Sequence, residues 1–267
     1  MNTKKTYWLA LGWGAARGLA HIWVIQYLEE KNITISEISG TSMGALIAAT
    51  YATWKNSDDM MKILEKMKIL KLIDLDMKVW VVSGKKITTF LKNIFWDTRI
   101  EDTQIPLFIT ATHLASWEKK VFSSGSIVEA VRASISLPSV FSPAEVDNTK
   151  YLDWGLNENL PVSVLSSENI IAVSVVREDF STEIPTHRSF FGIRFRSSFI
   201  KYNYHVLKRT IAIMMKNNED FHIELCRSRG KNITLIAPNV SDYEYFDFMK
   251  YEAIAKLGYE EAERVFG

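Results

Sequence analysis

A serine held between two glycines, Gly40-Thr41-Ser42-Met43-Gly44, is where residue type and spacing in this chain first suggest chemistry. It follows the β-branched segment Ile33 to Ile38 and opens a run without a charge up to Ala52, so this GxSxG falls between a strand and a helix. There the serine sits in a tight turn, and glycines two residues to either side let strand and helix pass closely. The hydroxyl is presented at a helix N-terminus, where amides and macrodipole favour the negative charge that develops when a nucleophile attacks a carbonyl. A serine-capped helix after a glycine turn is the alternative reading. Ala45, Ala48, Ala49 and Ala52, which permit close packing, favour the nucleophile.

A serine nucleophile needs a base. A triad would draw on His113, His187, His205 or His222, but none lies in a glycine-flanked loop, and His205 and His222 fall in helical patterns. Asp153 is the better candidate, since it ends the short apolar run in "KYLDWGLNENLPV" and Gly155 gives the backbone room to turn. Strand-end carboxylates are where α/β folds place functional groups. The triad and an ordinary turn aspartate stay as alternatives.

A second loop, "LGWGAARG" at residues 11–18, follows the apolar run Tyr7 to Leu11 and opens a helix, an arrangement that faces an anion. As a dinucleotide fingerprint it fits poorly. Glu29 and Glu30 come too early for a ribose-binding acid, and Glu37 lies inside the strand that leads to GxSxG. The histidines do not pair at ligand spacing, so no metal and no cofactor are expected, and His21 reads as packing at the first helix.

These residues need a scaffold. Apolar or alternating runs at Tyr7 to Leu11, Ile33 to Ile38, Leu107 to Thr112, Lys120 to Phe122, Lys150 to Asp153, Ile170 to Val176 and Asn232 to Ala237 read as strands. Several are wholly apolar, as strands covered on both faces tend to be. Helical patterns at Leu19 to Glu30, Met43 to Trp54 and Asp58 to Ile73 lie between them, and the alternation predicts an α/β layered sheet. The end of the chain reads as a closing helix, capped by Ser241 or Asp242 and interrupted near Gly258.

With 267 residues, 47% hydrophobic and 24% charged, and a net charge of +1, the chain has the composition of a globular protein with no overall pull towards nucleic acid. One cysteine, Cys226, excludes an internal disulfide. No run reaches the ~18 apolar residues of a spanning helix, and the early apolar run is shorter than a signal peptide's core. A cytoplasmic protein is expected, with any contact at the inner membrane surface peripheral. From Ile184 to Asn218 seven basic residues and no acidic one interleave with Phe190, Phe191, Phe195, Phe199, Tyr202 and Tyr204. That mixture suits an anionic bilayer, or else a helix with an aromatic core face and a solvated cationic one.

Taken together, "LALGWGAARGLAHIWVIQYLEE", "SGTSMGALIAATYA", "VFSSGSIVEAVRASISLPSVFSPAEV", "YLDWGLNENLPV" and "IAPNVSDYEYFDF" resemble the patatin-like phospholipase family, in particular its small bacterial lipid hydrolases. The resemblance implies a three-layer α/β/α sandwich with a central, mostly parallel sheet. It implies one domain over 1–267, with a catalytic core over about 6–176 and a helical, lipid-facing part over about 184–267. It further implies a serine lipid acyl hydrolase acting on phospholipid, lysophospholipid or fatty-acyl ester through a Ser-Asp dyad and an acyl-enzyme. By motif, Ser42 is the nucleophile, Asp153 the proton acceptor, and Trp13, Gly14, Ala15, Ala16, Arg17 and Gly18 the oxyanion loop. Gly40, Gly44 and Gly155 complete the elbow and the DxG motif, and Met43 joins the substrate-binding residues.

Two departures stand out. The family's three glycines are here Trp13, Gly14 and Ala15, and the middle residue of its DGG is Trp154. Amides of Trp and Ala can serve as donors where φ is negative, so negative φ is expected at those positions. The indoles of Trp13 and Trp154 are expected to narrow or roof an acyl groove. Arg17 either anchors the loop or meets a lipid phosphate. A non-catalytic lipid-binding protein with the same fold is the rival from another functional class.

Overall fold

The structure, a computed structural model, describes residues 6–54, 56–61, 84–138, 141–153, 155, 158–176, 187–190, 193–196 and 199–267. The first half builds β1 (Thr6–Leu11), α1 (Ala20–Glu30), β2 (Thr34–Thr41), α2 (Met43–Trp54) and α3 (Lys85–Phe95). Next come β3 (Leu107–His113), β4 (Lys119–Phe122), α4 (Ile127–Ser134), β5 (Ala144–Val146), β6 (Thr149–Leu152) and β7 (Asn169–Val173). The chain closes with β8 (His187–Phe190), β9 (Ile193–Arg196), α5 (Phe199–Ser228), β10 (Asn232–Ile236) and α6 (Tyr251–Phe266).

The main sheet has the order β10-β7-β1-β2-β3-β6-β5, with β4 also paired to β3. Pairings from β10 through β3 are parallel, and those of β3 with β4 and β6, and of β5 with β6, are antiparallel. Alternation along each strand sorts residues between two cores. Leu9, Leu11, Ile38, Ile171 and Val173 meet α1, α2, α4 and α6 on one face, whereas Ala10, Ile170, Ala172 and Ile233 meet Ile223 and Cys226 of α5 on the other. The result is the three-layer α/β/α sandwich, and covering both faces is why β7 and the Trp8 to Leu11 part of β1 are almost wholly apolar.

Two local features differ from the sequence reading. The closing helix is continuous through Gly258, because the glycine serves contact and not a break. A Cβ there would lie 2.1 Å from the carbonyl oxygen of Ala20, so only glycine lets α6 approach α1 this closely. The helix starts after a 3-10 turn at Phe248–Lys250 with no side-chain cap, leaving Ser241 and Asp242 in the preceding segment. The short strand β5, absent from the sequence reading, forms a hairpin with β6 through Asp147 and Asn148, whose φ values of 50° and 58° suit a tight two-residue turn. The helix expected over Asp58 to Ile73 lies mostly outside the described residues; residues 57–61 are helical.

Candidate active site

At the end of β2 the backbone turns directly into α2, and Ser42 sits in the turn with φ 57°. A non-glycine residue there costs about 1–2 kcal/mol, so the surroundings must hold it. The flanking glycines make room: a Cβ at Gly40 would lie 2.4 Å from the Gly44 carbonyl oxygen, and one at Gly44 2.3 Å from that of Leu11. The Ser42 amide donates to Ser134 Oγ at 2.8 Å, and Ser134 Oγ in turn donates to the Thr110 carbonyl at 2.7 Å. Thus α4 and β3 together clamp the strained residue.

Asp153 follows β6, and its amide donates to the Ser136 carbonyl at 2.9 Å, just beyond the end of α4. Ser136 Oγ accepts from the buried Arg132 guanidinium at 2.5 Å and donates to the Arg132 carbonyl at 2.7 Å. Ser134 at the end of α4 and Ser136 just beyond it therefore hold Ser42 and Asp153 in place. Ser42 Oγ donates to Asp153 Oδ2 at 2.5 Å across 111 residues of chain. Both are buried, at 6% and 2% exposure. Burial pushes the Asp153 carboxyl group up from 3.8 to about 7, against the opposing hydrogen bonds from Ser42 and Trp13. Desolvation penalises the charged form more than these two donors favour it.

Trp13 is placed differently from the groove roof expected of it. It is 5% exposed, and its indole Nε1 donates to the same Asp153 Oδ2 at 3.2 Å. Its ring lies edge-on to Tyr245 at 5.0 Å between centroids and packs with Val176, Met215 and Leu137. Its amide donates to the Asn159 carbonyl at 2.9 Å, and that of Ala16 to the Tyr245 carbonyl at 3.0 Å, so both are already engaged. Among the described residues the amides of Gly14 and Ala15 have no backbone partner. Negative φ is the expectation at Trp13 and Ala15; Ala15 instead has φ 46°, and its amide is nonetheless left without a backbone partner among the described residues, open to an acceptor. The loop makes a left-handed step there that a glycine would take without steric cost.

Below the loop, Arg17 is fully buried and anchors. Its guanidinium donates to the Tyr243 and Ser241 carbonyls at 2.7 and 3.3 Å and lies 4.4 Å from the centre of the Tyr245 ring. Gly18 meets Met43, since a Cβ would fall 2.6 Å from Met43 Cγ, and Met43 packs into the core under the loop. His21 donates through Nε2 to the Gly12 carbonyl at 2.9 Å, and burial lowers it to about 4, so it stays neutral. Gly155 packs on Asn159, whose side-chain amide donates to the buried Glu219 at 2.8 Å. Trp154 lies outside the described residues, as do the side chains of the basic and aromatic residues up to Tyr204.

Sequence reasoning missed Ser134, Ser136, Asn159, Tyr243 and Tyr245. Each acts through backbone atoms or on a partner far along the chain, which no local pattern announces. Of the histidines considered for a triad, His113 bonds Ser116 at 2.6 Å and His222 lies 4.0 Å from Glu158. Oδ1 of Asp153 has no partner among the described residues. Nor do three His, Cys, Asp or Glu side chains converge there in an arrangement that could hold a metal ion.

A serine in a strained strand-to-helix turn, hydrogen-bonded to a buried aspartate on a three-layer, mostly parallel sheet, defines the class of α/β protein to which the chain is compared. The patatin-like phospholipase model matches residues 9–166, more than half of the chain, which therefore belongs to that family. An uncharacterized NTE family protein of Mycobacterium tuberculosis is 36% identical over 173 residues, covering 62% of this chain and 48% of that protein. Lysophospholipase NTE1 of Saccharomyces cerevisiae is 29% identical over 273 residues, 94% of this chain and 16% of that protein. The chain thus spans half or less of the length of these curated relatives. Among solved structures, VipD from Legionella pneumophila shares the fold, with a TM-score of 0.59 at 15% identity over 98% of this chain and 66% of that one.

Proposed function

We propose that the protein hydrolyses lipid acyl esters, lysophospholipids foremost, with Ser42 as nucleophile and Asp153 as its general base. The observation that carries this is the direct 2.5 Å hydrogen bond from Ser42 Oγ to Asp153 Oδ2 inside a buried site. The name lysophospholipase on relatives that align over 94% of the chain supports the substrate class.

In the first step Asp153 takes the hydroxyl proton as Ser42 Oγ attacks the ester carbonyl. An unperturbed carboxylate is a feeble base for an alcohol, and raising it to about 7 brings it close to working pH. The carbonyl oxygen gains the charge and is held by the amides of Gly14 and Ala15; one such donor is worth ~10²–10³ in rate. The tetrahedral adduct collapses to an acyl-Ser42 ester, and the alcohol leaves with the proton from Asp153. Water, activated by the regenerated carboxylate, then releases the fatty acid.

Exposed apolar side chains at Leu207, Met214 and Phe221 on α5, together with Phe246 and Met249, support a lipid-facing C-terminal part. No helix among the described residues is long and apolar enough to cross a membrane. Co-sedimentation with anionic vesicles, compared with neutral ones, tests this surface; no binding to either rejects it. For the chemistry, fatty-acid release from lysophosphatidylcholine is expected to fall at least a thousandfold in Ser42→Ala and Asp153→Asn, with both variants folded. Hydrolysis that survives in both rejects the dyad.

A further inference from the structure

One contact in the site has no counterpart in the family's glycine loop. Where that loop carries glycine, this chain carries Trp13, whose indole N–H donates at 3.2 Å to the carboxylate oxygen that also accepts Ser42. We infer that Trp13 is a positioning residue for Asp153: its indole holds Oδ2 on the Ser42 hydroxyl. The inference rests on Asp153 being the base, as proposed above.

Three features fit the role. First, the donor is rigidly aimed. The Trp13 amide is bound to Asn159, and its ring is wedged among Tyr245, Val176, Met215 and Leu137, so the indole is fixed from both ends. Second, the acceptor needs it. Asp153 is 2% exposed and its Oδ1 lacks a partner among the described residues, so among those residues the side-chain donors to this carboxylate are Ser42 and Trp13. Third, both bonds fall on one oxygen, so the indole holds the same Oδ2 that accepts the Ser42 hydroxyl. A donor to the ionised form favours that form, so the indole offsets part of the desolvation that raises the group.

The consequence is measurable apart from packing. Trp13→Phe keeps an aromatic ring in the pocket and removes the N–H. Losing a hydrogen bond to a charged acceptor of this length is expected to move the acidic limb of the kcat/KM profile up by about half to one pH unit. With lysophosphatidylcholine as substrate, kcat at pH 6 falls by roughly three- to tenfold, approaches that of the unsubstituted protein at pH 9, and KM stays nearly unchanged. If phenylalanine disturbs folding, benzothienylalanine at position 13 keeps the bicyclic shape with sulfur in place of N–H, and should give the same limb shift.

A spectroscopic arm needs no variant of doubtful stability. With 15N-labelled tryptophan, the Trp13 indole resonance should titrate with the same midpoint as the activity limb, and Asp153→Asn should abolish that titration. An acidic limb unmoved in both substitutions, or an indole resonance that ignores pH while activity titrates, overturns the inference. So does a change confined to KM or chain-length preference, which would make Trp13 a wall of the groove. Ser42→Ala and Asp153→Asn run alongside separate the two failures: if they remain active, the dyad falls; if they are inactive while the limb does not move, only the role of Trp13 falls.

Discussion

Replacing Asp153 by asparagine removes a buried charge with little change of shape, and its effect on stability should depend on pH with a definite sign. Burial raises this carboxyl group from 3.8 to about 7 in the folded protein. Between those values the folded state holds a proton that the unfolded state has released. The group's contribution is therefore fully present below about pH 4 and is lost as pH rises through 7. Roughly two of the three intervening pH units lie between pH 5 and pH 7, at about 1.4 kcal/mol each. Asparagine has no such ionisation, so from pH 5 to pH 8 the variant should gain about 2–3 kcal/mol on the unsubstituted protein. Urea unfolding of both proteins at the two pH values reads this as a difference of differences. His21, neutral by burial, and Glu37, raised by it, titrate alike in both proteins and cancel. A gap that is constant with pH, or that closes as pH rises, refutes the argument that desolvation controls Asp153.

Two further outcomes follow from backbone geometry. Ala15→Gly removes the left-handed strain at φ 46° and should raise stability by about 1 kcal/mol, read from the urea midpoint, with hydrolysis retained. Unchanged or reduced stability would show that the loop does not carry that strain. Gly258→Ala places a methyl group 2.1 Å from the Ala20 carbonyl oxygen and should cost roughly 1–3 kcal/mol by forcing α6 off α1; a neutral effect would mean that the two helices are not held at this distance.

Much of the scaffold is legible in local pattern because burying both faces of a parallel sheet demands apolar runs. The strands at β1, β3, β7 and β10 and the chargeless helix α2 read directly from that demand. Gly40 and Gly44 are legible for a related reason, since the crossing of strand and helix leaves no space for Cβ at either. Gly258 shows the limit. Helix propensity makes glycine look like a break, whereas the deciding term is contact with α1, more than two hundred residues away in the chain. Ala15 shows it again: an alanine gives no sign of positive φ until the turn between β1 and α1 imposes it. In the site, Ser42 and Asp153 each carry a local signature, but the clamp by Ser134 and Ser136 does not, because it runs through one hydroxyl and one carbonyl. Trp13 was legible only as a departure from glycine. Its partner lies 140 residues on, and nothing in the loop itself says whether the indole faces substrate or carboxylate.

The central claim is that Ser42 is a nucleophile activated by Asp153. A fluorophosphonate probe tests it most directly, because such probes phosphonylate an activated serine and peptide mass spectrometry locates the label. At pH 8 the account predicts stoichiometric labelling of Ser42, a label absent from Ser42→Ala and formed at least a hundredfold more slowly in Asp153→Asn. Labelling of another residue, or labelling of Ser42 at equal rates with and without the Asp153 carboxylate, would contradict it.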